Sequence, residues 1–165
     1  MSLLLRRRML LSRKKSSNLF NESLLLSSAF CVKDENGYQF SGYPVSYTLY
    51  QYPDQPLVNY IKSVLKADTD YTLAYNVTSR AESTVAGRLD IRNSDSSMFL
   101  LEFGTDKRIG TFRFSQEQID SIYCVRIWGT TQEHTDNGAK PTIITEFQLL
   151  EGSYTLDTLP PYEPF

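Results

Sequence analysis

The sequence predicts an all-β fold, a jelly-roll β-sandwich preceded by an extended N-terminal arm. Three observations carry that expectation. About nine short segments alternate apolar and polar residues and are separated by turn residues, the pattern of half-buried strands in a sandwich. Eleven Tyr and nine Phe stand against a single Trp, an aromatic content that favours strands over helices. No apolar pattern of helical period persists for more than a turn or so. Near-continuous antiparallel pairing with long returns favours a jelly roll over a simple meander. A length of 165 residues and a hydrophobic content of 41% suit one domain with a core of its own.

Residues 1–17 form the arm and residues 18–165 the domain. The arm alternates Leu3, Leu4 and Leu5, then Arg6, Arg7 and Arg8, then Met9, Leu10 and Leu11, then Arg13, Lys14 and Lys15. Its six cations meet no acid within residues 1–15. That leaves 11 of the 17 basic and all 19 acidic residues to the body, a net of −8 within an overall −2. An acidic body argues against general nucleic-acid binding, so only the arm would seek phosphates or an acidic protein surface. A secretory signal places its charges before one unbroken apolar run, and here the blocks are interleaved. No run reaches the roughly 20 apolar residues of a membrane span. A disordered tail, a membrane-surface helix and an anchor that orders against a partner remain. Exposed leucine blocks favour aggregation unless covered, which favours the anchor. Leu3, Leu4, Leu5, Arg6, Arg7, Arg8, Leu10 and Leu11 are its candidate contacts.

Ser16-Ser17 reads as a hinge. Asn18-Leu19-Phe20-Asn21 then opens the domain as an extended lead-in whose Leu19 and Phe20 plug a sheet end. Residues 23–32 read as loop with a short strand. Asn36-Gly37, between Cys31-Val32 and Tyr38-Gln39-Phe40, predicts a hairpin. Val45, Tyr47 and Leu49 alternate in an aromatic strand closed by Pro53 and Pro56, which mark a loop. Leu57 to Ile61 reads as another strand. Asp68-Thr69-Asp70 is a polar turn before the strand 71–77, with Tyr71, Leu73, Tyr75 and Val77 on one face. Strands are also expected at 85–92, 98–103, 108–114 and 122–128. Between the last two, Ser115 to Gln118 carries the signature of a capped helical turn. In the C-terminal strand Ile143, Thr145, Phe147 and Leu149 share one face, with Thr142, Ile144, Glu146 and Gln148 on the other. Glu151-Gly152 ends it, and the prolines at 160, 161 and 164 impose an extended strap.

Four pieces of this chain carry a family resemblance: Asn18-Leu19-Phe20-Asn21, Asp68-Thr69-Asp70-Tyr71-Thr72-Leu73, Gln148-Leu149-Leu150-Glu151-Gly152-Ser153 and Tyr162-Glu163-Pro164-Phe165. In that order they resemble small jelly-roll domains of tail, baseplate and accessory structural proteins of bacteriophages, which close on a "QLEEGS…YEPY" pattern. Those domains look like carbohydrate-binding modules. The resemblance spans roughly residues 18–165; Leu150 stands where an acid is commoner, and Phe165 where the family has Tyr. It implies a non-enzymatic virion protein, assembled in the bacterial host cytoplasm, whose arm contacts other virion proteins and whose domain faces outward. Similar jelly rolls decorate capsid, neck and tail, and trimers are common among fibre-like members.

Catalytic signals are sparse. His134 is the one histidine, set in a polar loop, and no Gly-x-Ser-x-Gly turn occurs. Cys31 and Cys124 lack metal-ligand spacing and read as reduced, buried thiols or a pair spanning the domain. Glu133 with Asp136, or Asp68 with Asp70, lack the glycine-punctuated loop of a calcium site. No cofactor and no metal are expected. Sugar binding has more support, because sugars stack on aromatic rings ringed by planar hydrogen-bonding groups. On the strand 122–128, Tyr123, Val125 and Ile127 share a face, leaving Cys124, Arg126 and Trp128 on the other. Arg88, Asp90 and Arg92 take the polar side of their strand, and Glu146 and Gln148 that of theirs. Trp128, Arg126, Arg88, Glu146 and Gln148 are the candidate glycan contacts. The competing reading packs Trp128 beneath the loop 129–140 and pairs Arg126 with an acid. Two functions therefore stand: an anchored structural virion protein, and a module recognising a host cell-surface glycan. A secreted bacterial carbohydrate-binding module is the third.

Overall fold

A computed structural model of the chain describes residues 17–27, 31–40, 46–48, 56–79, 87–101, 107–129 and 142–165. The arm residues Leu3 to Leu11, His134 with Glu133 and Asp136, and the loop after Gly129 lie outside the described residues. The elements are β1 (Cys31–Asp34), β2 (Gly37–Phe40), β3 (Ser46–Thr48), α1 (Pro56–Val64), β4 (Asp70–Ser79), β5 (Leu89–Arg92), β6 (Ser97–Leu101), β7 (Lys107–Arg113), α2 (Gln116–Ser121), β8 (Cys124–Trp128) and β9 (Thr142–Glu151), with a 3₁₀ turn at Glu22–Ser27 before β1.

The strands make two antiparallel sheets, one of five in the order β1-β2-β9-β4-β7 and one of four in the order β3-β8-β5-β6. Their pairing is nested: β5 with β6, then β4 with β7, β3 with β8 and β2 with β9. The chain therefore behaves as one long hairpin rolled so that its arms fall alternately in either sheet.

One apolar core lies between the sheets. Tyr71, Leu73, Tyr75 and Val77 from β4 meet Leu89, Ile91, Val125 and Ile127 from the other sheet, all buried. Phe147 sits at its centre. Phe20 stacks on it at 4.8 Å between ring centroids, Tyr75 lies at 5.4 Å, and Tyr38 and Phe40 present edges at 6.1 and 6.5 Å. Each such ring contributes about 1.5–3 kcal/mol by leaving water. Phe20 is thus the plug expected of the lead-in. Cys31 and Cys124, one in each sheet, are free and buried.

The Asn36-Gly37 hairpin forms as expected, with Asp34 opposite Gly37 and Cys31 opposite Phe40. Helix α2 carries the capping box: the Gln118 amide N–H donates to Ser115 Oγ, and the Ser115 amide donates to Gln118 Oε1.

Two expectations need correction. Residues 57–61 are helical, not extended. Pro56 occupies the first turn, where its missing N–H is harmless. Leu57, Val58 and Ile61, with Leu65 beyond, then make one buried stripe, a spacing that only a helix places on a single face. The second concerns β9, whose alternation changes phase midway. Ala74 pairs with Gln148 and Asn76 with Thr145, so β9 carries one extra residue there. Glu146 takes it up in a left-handed conformation, φ 54°, the mark of a β-bulge. Ile144 and Phe147, three apart, consequently both face the core.

The outer side of the five-stranded sheet is covered as well. Thr72 Oγ1 donates to the Gly152 carbonyl at 2.8 Å and accepts the Tyr154 N–H at 3.0 Å. Past that turn the C-terminal strap crosses β9 and returns to the lead-in.

Candidate functional site

Pairing of β5 with β8 places Asp90 opposite Arg126 and Arg92 opposite Cys124. Leu89, Ile91, Val125 and Ile127 take the core side, so Arg88, Asp90, Arg92, Arg126 and Trp128 share the opposite face of the sheet, where Asp90 is buried and the others are half-buried. Asp90 is 0% exposed and fully engaged. Arg126 grips it with a two-pronged fork, Nε to Oδ1 at 3.1 Å and Nη2 to Oδ2 at 2.7 Å. Ser97 Oγ donates to Oδ2 at 3.0 Å, and Arg92 Nη1 approaches the same oxygen at 3.6 Å while donating to Ser97 Oγ at 3.3 Å. A carboxylate held this way organises guanidinium groups. It is not available as a base.

Trp128 is the aromatic member. The guanidinium carbons of Arg126 and Arg88 lie 4.6 and 5.1 Å from its ring centroid, both within the range of cation–π attraction. Its indole Nε1 is buried and has no hydrogen-bond partner among the described residues. Arg126, Trp128 and Arg88, chosen from sequence, therefore assemble into one cluster. The acid that pairs with Arg126 is Asp90, as the competing reading expects of that side chain; the loop it places over Trp128 lies outside the described residues from position 130 on.

Glu146 and Gln148 do not join them. Both lie on β9 in the other sheet. Glu146 accepts from Asn76 Nδ2 at 2.6 Å and from Lys107 Nζ at 3.3 Å. Gln148 is buried beneath the strap, its Nε2 donating to the Pro160 and Pro161 carbonyls at 3.3 Å each. Their alternation marked them as polar-side residues, but the buried amide serves to hold the tail. Asp68 and Asp70 do not converge on a common point either: Asp70 pairs with Arg113 at 2.9 Å, and Asp68 holds the turn with φ 56°. No group of three or more His, Cys, Asp or Glu suited to a metal ion occurs among the described residues.

One feature escaped the sequence reading. A cleft of about 210 Å³ opens where the β1–β2 turn, the β9 bulge and the strap meet, lined by Glu22, Lys33, Glu35, Tyr38, Glu146 and Tyr162 among others. Tyr162 donates to Glu22 Oε1 at 2.9 Å, and Lys33 Nζ lies 3.2 Å from the Tyr38 hydroxyl. Burial, reinforced by that bond to Glu22, pushes the Tyr162 phenol well above its ordinary range. Burial raises Tyr38 too, while its hydroxyl holds Lys33 above the usual ammonium value. Its lining residues are scattered from position 22 to 162, so no local motif signals it.

No family model, curated protein or solved structure matches the chain.

Proposed function

We propose that the protein is a non-enzymatic structural or accessory component of a bacteriophage particle, assembled in the bacterial host cytoplasm. Its domain is a jelly roll, anchored by residues 1–17 in another virion protein. What supports the jelly roll is the nested pairing of β2 through β9 and the facing orders β2-β9-β4-β7 and β3-β8-β5-β6, the arrangement of two sheets wound from one hairpin. What supports the virion reading is the resemblance of its four sequence pieces, which fall along a single seam of the five-stranded sheet.

The observation that carries the tethering is the root of the arm. Asn18, 2% exposed, bonds to β9, to Phe20 and to the strap at once, and the Leu19 N–H donates to the Leu149 carbonyl at 2.7 Å. β9 is the middle strand of its sheet. A pull on the arm would pass directly into the best-braced strand of the domain. Within the arm the apolar blocks would dominate the anchoring, since burying five leucines against a partner, at about 1.5–3 kcal/mol each, would exceed what a surface ion pair contributes. Deleting residues 1–15 and measuring co-purification with particles tests this: incorporation is expected to be lost, and unchanged incorporation overturns the tether.

A second reading, recognition of a host cell-surface glycan, is favoured by the cluster of Trp128, Arg126 and Arg88 on one outer face. The two functions are compatible in one molecule. Screening the intact protein against immobilised glycans tests the second, with Trp128→Ala as the comparison. Loss of binding in the variant supports it.

A further inference from the structure

We propose that the outer face of the four-stranded sheet takes an oxyanion, the carboxylate or phosphate of an acidic surface glycopolymer, through Arg92 and Arg126. This rests on the glycan-binding reading of that face and narrows its ligand to one chemical class.

Charge distribution is the first ground. The body is acidic by eight charges, yet Arg92 and Arg126 both reach Asp90 here, and Arg88 lies with Arg126 against the Trp128 ring. Asp90 has both oxygens occupied and no exposure, so it cannot offer itself to sugar hydroxyls. Its effect is to fix the Arg126 guanidinium plane and steady that of Arg92.

The second ground is the set of donors left over. Arg126 uses Nε and Nη2 on Asp90, and Arg92 uses Nη1 on Ser97 and Asp90. Arg126 Nη1 and Arg92 Nη2 make no hydrogen bond among the described residues. The two side chains keep 20% and 24% of their surface in solvent. Planar N–H donors held in place match the spacing of carboxylate or phosphate oxygens, and they discriminate against neutral hydroxyls by charge.

The third ground is what Trp128 does. With two guanidinium carbons within about 5 Å of its ring, the indole is already engaged in cation–π contact. Its role is to support the arginines, and the ligand is met by their N–H groups instead of by a bare aromatic platform.

The test uses the full chain and three immobilised oligomers of matched length: an oligogalacturonate, a glycerol-phosphate oligomer and a neutral glucan. The expected result is binding to one or both acidic oligomers, weakened as salt rises, with no binding to the neutral one. Which acidic oligomer binds separates carboxylate from phosphate. Arg92→Gln is expected to weaken that binding at least tenfold, because it removes one of the two guanidinium groups while Asp90 keeps its Arg126 fork. Arg92→Lys, which keeps the charge and loses the planar donors, should fall between. If the neutral glucan binds as well as the acidic oligomers and Arg92→Gln changes nothing, anion selectivity is overturned while glycan recognition stands. If none of the three binds, both fall.

Discussion

Asn18 and Glu163, 145 positions apart in sequence, are joined by a hydrogen bond of 3.0 Å from the Asn18 side-chain amide to the Glu163 carbonyl. The same amide nitrogen donates to the Phe147 carbonyl at 2.8 Å, and Oδ1 accepts from the Phe20 and Leu149 N–H groups at 2.9 and 3.0 Å. One side chain thus closes the lead-in, the middle strand and the strap into a ring. Asn18→Ala should cost about 3 kcal/mol, because several buried backbone groups lose their partner together, each worth about 1–3 kcal/mol when left unsatisfied. Urea denaturation would measure it, and faster proteolysis of the tail at Tyr162 should accompany it. A loss below about 1 kcal/mol would mean that the seam is redundant.

The Asp90–Arg126 fork makes a different prediction. Removing one member of a buried pair strands the other, so Asp90→Ala and Arg126→Ala should each destabilise by about 2–4 kcal/mol, toward the lower end because Arg126 reaches solvent. The double variant should lose less than the two singles together. A thermodynamic cycle gives the coupling, expected to be at least about 1 kcal/mol; additive losses would show that the fork does not hold β5 to β8.

Gly37 starts β2 with φ 131°, a conformation that side chains with a Cβ avoid. A Cβ there would also strike the Thr145 methyl on the neighbouring strand. Gly37→Ala should therefore cost about 2 kcal/mol or more and lower the thermal midpoint. Calorimetry would check it. An unchanged midpoint would place β2 in another register.

Burial raises the Cys31 thiol to about 12 and the Cys124 thiol to about 11, against an ordinary value of 9.0. A raised folded value means the native state holds its proton more tightly than the unfolded chain does. That contribution is whole below pH 9 and is lost as pH climbs toward 11–12. Tyr162 adds a shift of the same sign. The thermal midpoint should stay level to about pH 8.5 and then decline. At pH 8 a thiol reagent should label neither cysteine until denaturant is added. Rapid labelling of the native protein would contradict the burial.

Some of this was readable from composition and local pattern alone. Tyr71, Leu73, Tyr75 and Val77 alternate without interruption, and β4 follows that alternation because its core face stays in one phase. The Asn36-Gly37 turn and the Ser115–Gln118 capping box are chemistry of four neighbouring residues, and both form where expected. Leu57–Ile61 misled because five residues are too few to separate a strand from one turn of helix. The decisive stripe needs Leu65, and Pro56, which can close a strand, here starts a helix. In β9 the single bulge at Glu146 inverted the faces on either side of it, which strict alternation does not anticipate. For the site, alternation placed Arg126 and Trp128 on one face and Arg88 on the polar face of its own strand. It gave Glu146 and Gln148 the same polar signature, although one pairs with Asn76 and Lys107 and the other is buried under the strap.

By itself, then, the order of residues determined the all-β class, the location of most strands and turns, and the polar and apolar sides of the regular ones, because these depend on neighbours within a few positions. Only tertiary structure decided which strands share a sheet, that Asp90 lies under Arg126, and that Asn18 reaches Phe147, Leu149 and Glu163. Those pairings are fixed by how the whole hairpin rolls to bury one core. That free energy is shared over the entire chain, and no local stretch carries a sign of it.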